Sequence, residues 1–131
     1  MTAPRFPVSI KAVLAIGGRI PLLFNERDEW ELPGGRLETG EQPERALVRE
    51  LREELNIETR VERILDSWLY RIAGHSEVMI VTYACTVLDA SALRFSHEHK
   101  DVRLVEPGEI GDLRLPDGYR RSIAAFLGRS G

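Results

Sequence analysis

Apolar and polar positions alternate along much of this chain, and the alternation predicts a protein built mostly of strands. Residues 8–16 alternate with a period of two, which is the pattern of a half-buried strand. Gly17 and Gly18 then supply a tight turn, and residues 20–24 form the returning strand. Pro21 indicates an edge position or an irregularity in that strand. Further extended segments are predicted at residues 30–32, 58–72 (bent or interrupted), 77–88 and 102–105.

The clearest helix signal lies at residues 43–55. Pro43 suits the first helical position, where a missing N–H costs nothing, and Glu44 favours the positive end of the helix dipole. Asn56 tolerates the left-handed conformation that often ends a helix. Residues 106–109 and 117–127 predict two later, shorter helices. Strands with a central helix and late helices predict an α/β fold, a mixed β-sheet with helices packed on its faces.

Length and composition are those of an ordinary globular protein. The 131 residues suit one domain spanning residues 1–131, and 43% of them are hydrophobic. Cys85 lies in an apolar segment and is expected to be a buried small hydrophobe. No segment approaches the ~20 apolar residues of a membrane span, and the N-terminal residues lack a signal-length apolar stretch. We therefore expect a cytoplasmic protein with no membrane partner.

The charge balance limits the partners. The formal net charge of −3 gives no electrostatic footprint for binding duplex nucleic acid. Small anionic ligands remain compatible with it, because local fields matter more than net charge.

Three glutamates crowd the last turns of the predicted helix: Glu50, Glu53 and Glu54. The negative end of the helix dipole and the like charges four residues apart both disfavour this arrangement. On a helical wheel the three acids form one arc beside the stripe of Leu47 and Leu51, with no helical arginine expected among them. Such a string is usually a solvated face. The alternative is a site for a hard divalent cation, which takes oxygen ligands.

The spacing around these acids resembles the box of the Nudix (MutT-like) hydrolase family, G-x5-E-x7-R-E-U-x-E-E-x-G-U, in which U is a bulky aliphatic residue. The positions in register are Gly35, Glu41, Arg49, Glu50, Leu51, Glu53, Glu54 and Ile57. Asn56 stands where the family has glycine, but asparagine is the next-best residue for a left-handed helix exit. Residues 30–35, Trp-Glu-Leu-Pro-Gly-Gly, are similar to the family's usual lead-in.

The resemblance implies a Nudix fold, an α/β/α sandwich with a mixed β-sheet and a central loop-helix-loop box. It also implies hydrolysis of a nucleoside diphosphate linked to another moiety, with Mg²⁺ or Mn²⁺. Carried onto this chain, the metal ligands would be Glu50, Glu53, Glu54 and the backbone carbonyl of Gly35. Glu41 and Arg49 would organise the loop-helix-loop. The general base that activates water stays open among Glu53, Glu54 and Glu98, an acid in a later loop.

The sequence indicates less about the substrate than about the fixed-spacing motif. Arg27, Arg36 and Arg71 are candidates for phosphate contacts, and Tyr70 or Trp68 for stacking on a base. No proline occurs from residue 44 through 106, so the downstream proline of ADP-ribose pyrophosphatases is absent. The substrate therefore stays open between a nucleoside triphosphate and a nucleotide sugar. Dimers are common in the family, which favours a homodimer.

Two other classes of protein are alternatives to an enzyme. One is a non-catalytic Nudix-fold module that binds a nucleotide or a partner protein. Degenerate modules typically lose the box acids, and this chain keeps all three. The other is an unrelated domain with an acidic surface helix, which leaves the distances to Gly35 and Glu41 unexplained. We therefore predict a metal-dependent pyrophosphohydrolase.

Overall fold

The computed structural model describes residues 2–72, 77–96 and 101–128. Its strands are β1 (Val8–Val13), β2 (Ile20–Phe24), β3 (Trp30–Glu31), β4 (Gly34–Arg36), β5 (Glu58–Arg71), β6 (Glu77–Asp89) and β7 (Asp101–Val105). Its helices are α1 (Pro43–Leu55), the 3₁₀ helix Pro107–Asp112 and α2 (Asp117–Phe126).

The strands form two sheets, and the larger one is mixed. Its order is β4-β1-β6-β5, in which β1 and β6 are parallel and the other neighbours are antiparallel. The smaller sheet has the order β3-β2-β7 and is antiparallel. The predicted α/β class with a mixed sheet is therefore confirmed.

The two faces of the larger sheet carry different cores, because successive side chains of a strand point to opposite faces. On one face Ile10, Ala12, Tyr83 and Cys85 pack against the apolar stripe of α1. On the other face Val78 and Ile80 pack with residues of the smaller sheet and of α2. Helices thus cover both faces of the larger sheet. Burial raises the pKa of the Cys85 thiol to about 12, as expected for a buried cysteine without reactivity.

Local signals placed several elements correctly. Helix α1 has the predicted bounds, and Asn56 leaves it in the left-handed conformation with φ 54° and ψ 46°. Gly17 and Gly18 form the turn between β1 and β2 with φ of 58° and 81°. Strand β5 has three register shifts against β6, which is the expected irregularity.

Two strand predictions need correction. Pro21 lies in the middle strand of the smaller sheet rather than at an edge. It is tolerated because β3 pairs with β2 only at Leu23 and Phe24, away from Pro21. Strand β4 was missed, since its Gly34 and Gly35 have low strand propensity and pair with β1 through tertiary contact alone.

Some expectations fall on parts of the chain that the structure leaves out or does not test. Glu98, the loop candidate for the general base, lies outside the described residues. No helix among the described residues combines the length and apolar character that crossing a membrane needs. The expected cytoplasmic location and homodimer stay predictions.

Candidate active site

Strand β4 brings helix α1 unusually close to the edge of the larger sheet. A Cβ built on Gly35 would lie 2.6 Å from Cδ of Glu50. At Gly34, φ is 142°, and a Cβ would collide with the carbonyl oxygen of Ile10. Glycine is required at position 34, because it has no Cβ and accepts a positive φ, whereas a side chain at position 35 would require the carboxyl group of Glu50 to move. Because neither glycine has a side chain, the carboxyl groups of Glu50 and Glu54 come into direct contact with the backbone of β4.

Glu54 is held directly by this strand. Its Oε1 accepts a hydrogen bond of 2.7 Å from the backbone N–H of Gly34, and the residue is 5% exposed. A buried carboxylate needs such donors, since burial without them is costly. The contact fixes the last turns of α1 against β4.

Glu50 lies one turn earlier and also faces the glycines. Burial raises the pKa of its carboxyl group, and the charge of Glu53 adds to that rise, while Arg49 and Lys11 act against it. A nearby cation would reverse this effect by favouring the charged form.

Arg49 connects the loop before the helix to the acids on it. Its Nε and Nη2 donate to the two oxygens of Glu41 at 2.7 and 2.9 Å. Its Nη1 donates to Glu50 at 3.1 Å and to Glu53 at 3.2 Å. The hydrogen bond from Arg49 lowers the pKa of Glu41 and raises that of Arg49 itself.

The position of Arg49 corrects the helical-wheel expectation that no arginine lies among the acids. A wheel gives the direction of the Cβ, whereas a long guanidinium side chain reaches its neighbour four residues along the helix. Glu53 accordingly lies on the solvent side, with 59% of its side chain exposed. Within the described parts of the chain, no three acidic, histidine or cysteine side chains converge in the geometry of a metal centre.

The donors present fit a hard cation nonetheless. Glu50 and Glu54 face one cleft together with the backbone of Gly34 and Gly35. Magnesium is usually bound by one or two carboxylates, with waters and substrate phosphates completing its shell. This set of oxygens therefore suits Mg²⁺ or Mn²⁺ without a closed protein cage.

The cleft itself has a volume of about 370 Å³ and crosses the larger sheet. The acids and glycines form its first end, at β4. Ser9 and Lys11 of β1 lie next to them, followed by Val78 and Ile80 of β6 and then Tyr70 of β5. The cleft thus has an acidic end at β4, and a second end where apolar and aromatic side chains lie beside the guanidinium group of Arg27.

The opposite wall comes from β3 and the turn before it. Glu31 accepts a hydrogen bond from Asn25 Nδ2 at 3.1 Å, and Glu29 accepts one from the Tyr70 hydroxyl at 2.7 Å. Burial and the contact with Glu29 raise the pKa of Tyr70. The turn and the far strand of the larger sheet are therefore tied together across the cleft.

Some of the predicted substrate-binding residues lie in the cleft and others lie outside it. Arg27, Arg36 and Tyr70 line the cleft. Arg71 is exposed and pairs with Glu77 at 3.3 Å, because adjacent strand residues point to opposite faces. Trp68 packs edge-on against Tyr119, with ring centroids 5.2 Å apart.

Sequence reasoning missed Lys11 and Glu31 as cleft residues. The side chain of Lys11 is 9% exposed, and its Nζ lies 3.9 Å from Oε1 of Glu31. The one sequence signal was a lysine, together with Ser9, on the polar side of the alternation in β1.

Comparison with known proteins agrees with this fold. A family model of the NUDIX domain matches residues 8–126. The CTP pyrophosphohydrolase of Escherichia coli (strain K12) is 32% identical over 123 residues, covering 90% of this chain and 89% of that protein. The 8-oxo-dGTP diphosphatase of Proteus vulgaris is 53% identical over 47 residues, which are 36% of this chain and 42% of that protein.

A solved structure shows the same architecture. The crystal structure of a MutT protein from Methanosarcina mazei Go1 has a TM-score of 0.79 and 20% sequence identity, covering 98% of this chain and 97% of that one. The chain belongs to the Nudix family, and it is a Nudix hydrolase.

Proposed function

We propose that this chain is a divalent-metal-dependent pyrophosphohydrolase that cleaves a nucleoside triphosphate. The observation that carries the proposal is the position of Glu50 and Glu54 at one end of a cleft whose other end is lined by Val78, Ile80 and the ring of Tyr70, next to Arg27. Such a cleft accommodates a phosphate chain and a base together. Its volume of about 370 Å³ falls within the usual range for small-molecule sites.

The similar proteins support a triphosphate over the alternative, a nucleotide sugar. The two relatives compared by sequence are described as acting on CTP and on 8-oxo-dGTP. The first of them matches along nearly the whole of this chain.

In this proposal Glu50, Glu54 and the carbonyl of Gly35 hold Mg²⁺ or Mn²⁺, with Glu53 beside them. When bound, the ion neutralises the diphosphate and lowers the pKa of a water that attacks phosphorus. Arg36 at the cleft rim attracts the phosphates, and Tyr70 offers its ring to the base. Arg49 and Glu41 keep the loop and helix in register. The proton acceptor is one of Glu53, Glu54 and Glu98.

A substrate panel with Glu54→Gln tests the proposal. Nucleoside triphosphates and nucleotide sugars are incubated with Mg²⁺, with Mn²⁺ or with EDTA, and pyrophosphate, monophosphates and sugar phosphates are measured. We expect metal-dependent release of pyrophosphate from a triphosphate. Glu54→Gln should lower kcat on the order of 100-fold, because several kcal/mol of charge stabilisation depend on the ion.

Glu44→Gln is the matched control, since Glu44 is an exposed acid on the same helix outside this cleft. Its activity should equal that of the wild type. Equal turnover by Glu54→Gln and the wild type would contradict the assignment. Nucleotide binding without turnover by the wild type would instead support the non-catalytic module.

A further inference from the structure

Lys11 is a buried ammonium group in the middle of the cleft. It lies on β1, between the glycines of β4 and the apolar residues of β6. Its side chain is 9% exposed, and the described residues give it one ion pair, to Glu31 at 3.9 Å. That distance exceeds a hydrogen bond. An ammonium group carries three donors, and burying it is costly unless they are used.

Glu31 faces Lys11 from the other sheet and is fixed in place. Asn25 Nδ2 donates to its Oε2 at 3.1 Å, and Nη2 of Arg27 lies 3.8 Å from the same oxygen. The other oxygen, Oε1, is the one that faces Lys11. An ionised carboxylate oxygen accepts more than one hydrogen bond. The two residues therefore present a pure donor next to a pure acceptor.

The apolar end of the cleft begins beside this pair. Val78 and Ile80, which are nearly buried, line the floor of this part of the cleft, and the ring of the half-buried Tyr70 suits the flat face of a base. A base lying on it would turn one polar edge towards Lys11 and Glu31. The metal-binding acids lie on the opposite side of Lys11, at β4.

We propose that Lys11 and Glu31 together read the polar edge of the nucleobase, and so determine base specificity. Lys11 donates to a carbonyl oxygen, and Glu31 accepts from an exocyclic amino group. Cytosine and guanine carry both groups on one edge, whereas adenine lacks the carbonyl and uracil lacks the amino group. The substrate class is therefore a cytosine or guanine nucleotide. This inference rests on the proposed function in one respect, the placement of a nucleotide in this cleft.

Binding of nucleoside monophosphates tests it without turnover. CMP, GMP, AMP, UMP and ribose 5-phosphate are titrated by calorimetry into the wild type and into Lys11→Met. We expect CMP and GMP to bind the wild type roughly tenfold or more tightly than AMP and UMP, since a hydrogen bond to a charged group is among the stronger ones. Lys11→Met should weaken CMP, GMP and UMP by a similar factor and leave AMP unchanged.

Two variants complete the experiment. Arg36→Met removes a cation at the rim of the same cleft and should weaken every phosphate ligand alike. Lys11→Arg keeps the charge and the donors, so it should retain the selectivity. If Lys11→Met unfolds, the base selectivity of the wild type alone decides the test. An equal loss for all five ligands in Lys11→Met would make Lys11 a phosphate contact and overturn the inference. A wild type that binds all four bases equally would also overturn it.

Hydrolysis of the four triphosphates is measured in parallel to separate the two proposals. Turnover without base preference removes the role of Lys11 and leaves the hydrolase intact. Base-selective binding without turnover supports the role of Lys11 and contradicts the proposed hydrolysis.

Discussion

The carboxyl group of Glu50 occupies the space that a side chain at position 35 would need. A Cβ on Gly35 would lie 2.6 Å from its Cδ and 2.7 Å from each of its oxygens. Because real Cβ atoms do not approach so closely, a side chain at position 35 and the present position of Glu50 exclude each other. Gly35 therefore matters because it leaves room for the carboxyl group of Glu50.

Gly35→Ala should therefore displace Glu50 and weaken the metal site. We expect a higher Mg²⁺ concentration for half-maximal activity and a kcat reduced roughly tenfold or more, since such sites tolerate little misplacement. The measurement is a Mg²⁺ titration of hydrolysis, with thermal unfolding to show that the fold persists.

Gly108→Ala is the control for that substitution. Its added Cβ meets no atom within 4 Å, and its φ is not in the left-handed region. It should leave the Mg²⁺ titration unchanged. A Gly35→Ala protein with normal Mg²⁺ dependence would show that Glu50 can move without cost.

The ion pair between Glu41 and Arg49 should make stability depend on pH in one direction. The hydrogen bond from Arg49 lowers the pKa of Glu41 below its ordinary value of 4.5. Its contribution is therefore present above pH 4.5 and is lost as the pH falls through the lowered folded-state value. Glu41→Gln should lower Tm at pH 7 by no more than a few degrees, and the difference should shrink in acid.

Glu38→Gln serves as the comparison for Glu41. Glu38 is an exposed acid of the same loop, and its Oε1 lies 4.0 Å from Arg49. It should change Tm less at pH 7. A difference between wild type and Glu41→Gln that grows in acid would contradict the assigned direction of the pKa shift.

Gly118 of α2 packs directly on Trp68, and a larger residue there should separate the helix from the sheet. A Cβ at position 118 would collide with the indole ring. Gly118→Ala should lower the free energy of unfolding by about 1–3 kcal/mol, as overpacking of a core does. Chemical denaturation followed by tryptophan fluorescence measures the change.

Gly111→Ala tests whether that loss is specific to the packed position. Gly111 lies nearby in the chain, and its Cβ would meet nothing within 4 Å. Its free energy of unfolding should stay within about 0.5 kcal/mol of the wild type. Equal losses in the two variants would argue against overpacking at Trp68.

Local rules explain which parts of the fold were readable in advance. Helix α1 begins at Pro43 and is ended by the left-handed Asn56, as its end signals predict, because caps depend on neighbouring residues alone. The alternation of β1 likewise separates Ile10 and Ala12 from Ser9 and Lys11 on opposite faces.

Contacts between distant segments explain what was missed. Strand β4 exists because Gly34 and Gly35 pair with β1, not because of their propensity. Arg49 was placed away from the acids, since a wheel ignores the reach of its side chain. Pro21 is tolerated in a middle strand because β3 is too short to pair with it.

The sequence by itself determined the Nudix box, the helix that carries its acids and the class of chemistry, because these depend on residue types at fixed spacing along one element. Only the tertiary structure decided that Glu54 binds Gly34 and that Lys11 faces Glu31. Each of these pairs is twenty residues apart along the chain. Which residues form these pairs depends on how α1 and the two sheets pack, and no local pattern encodes that packing.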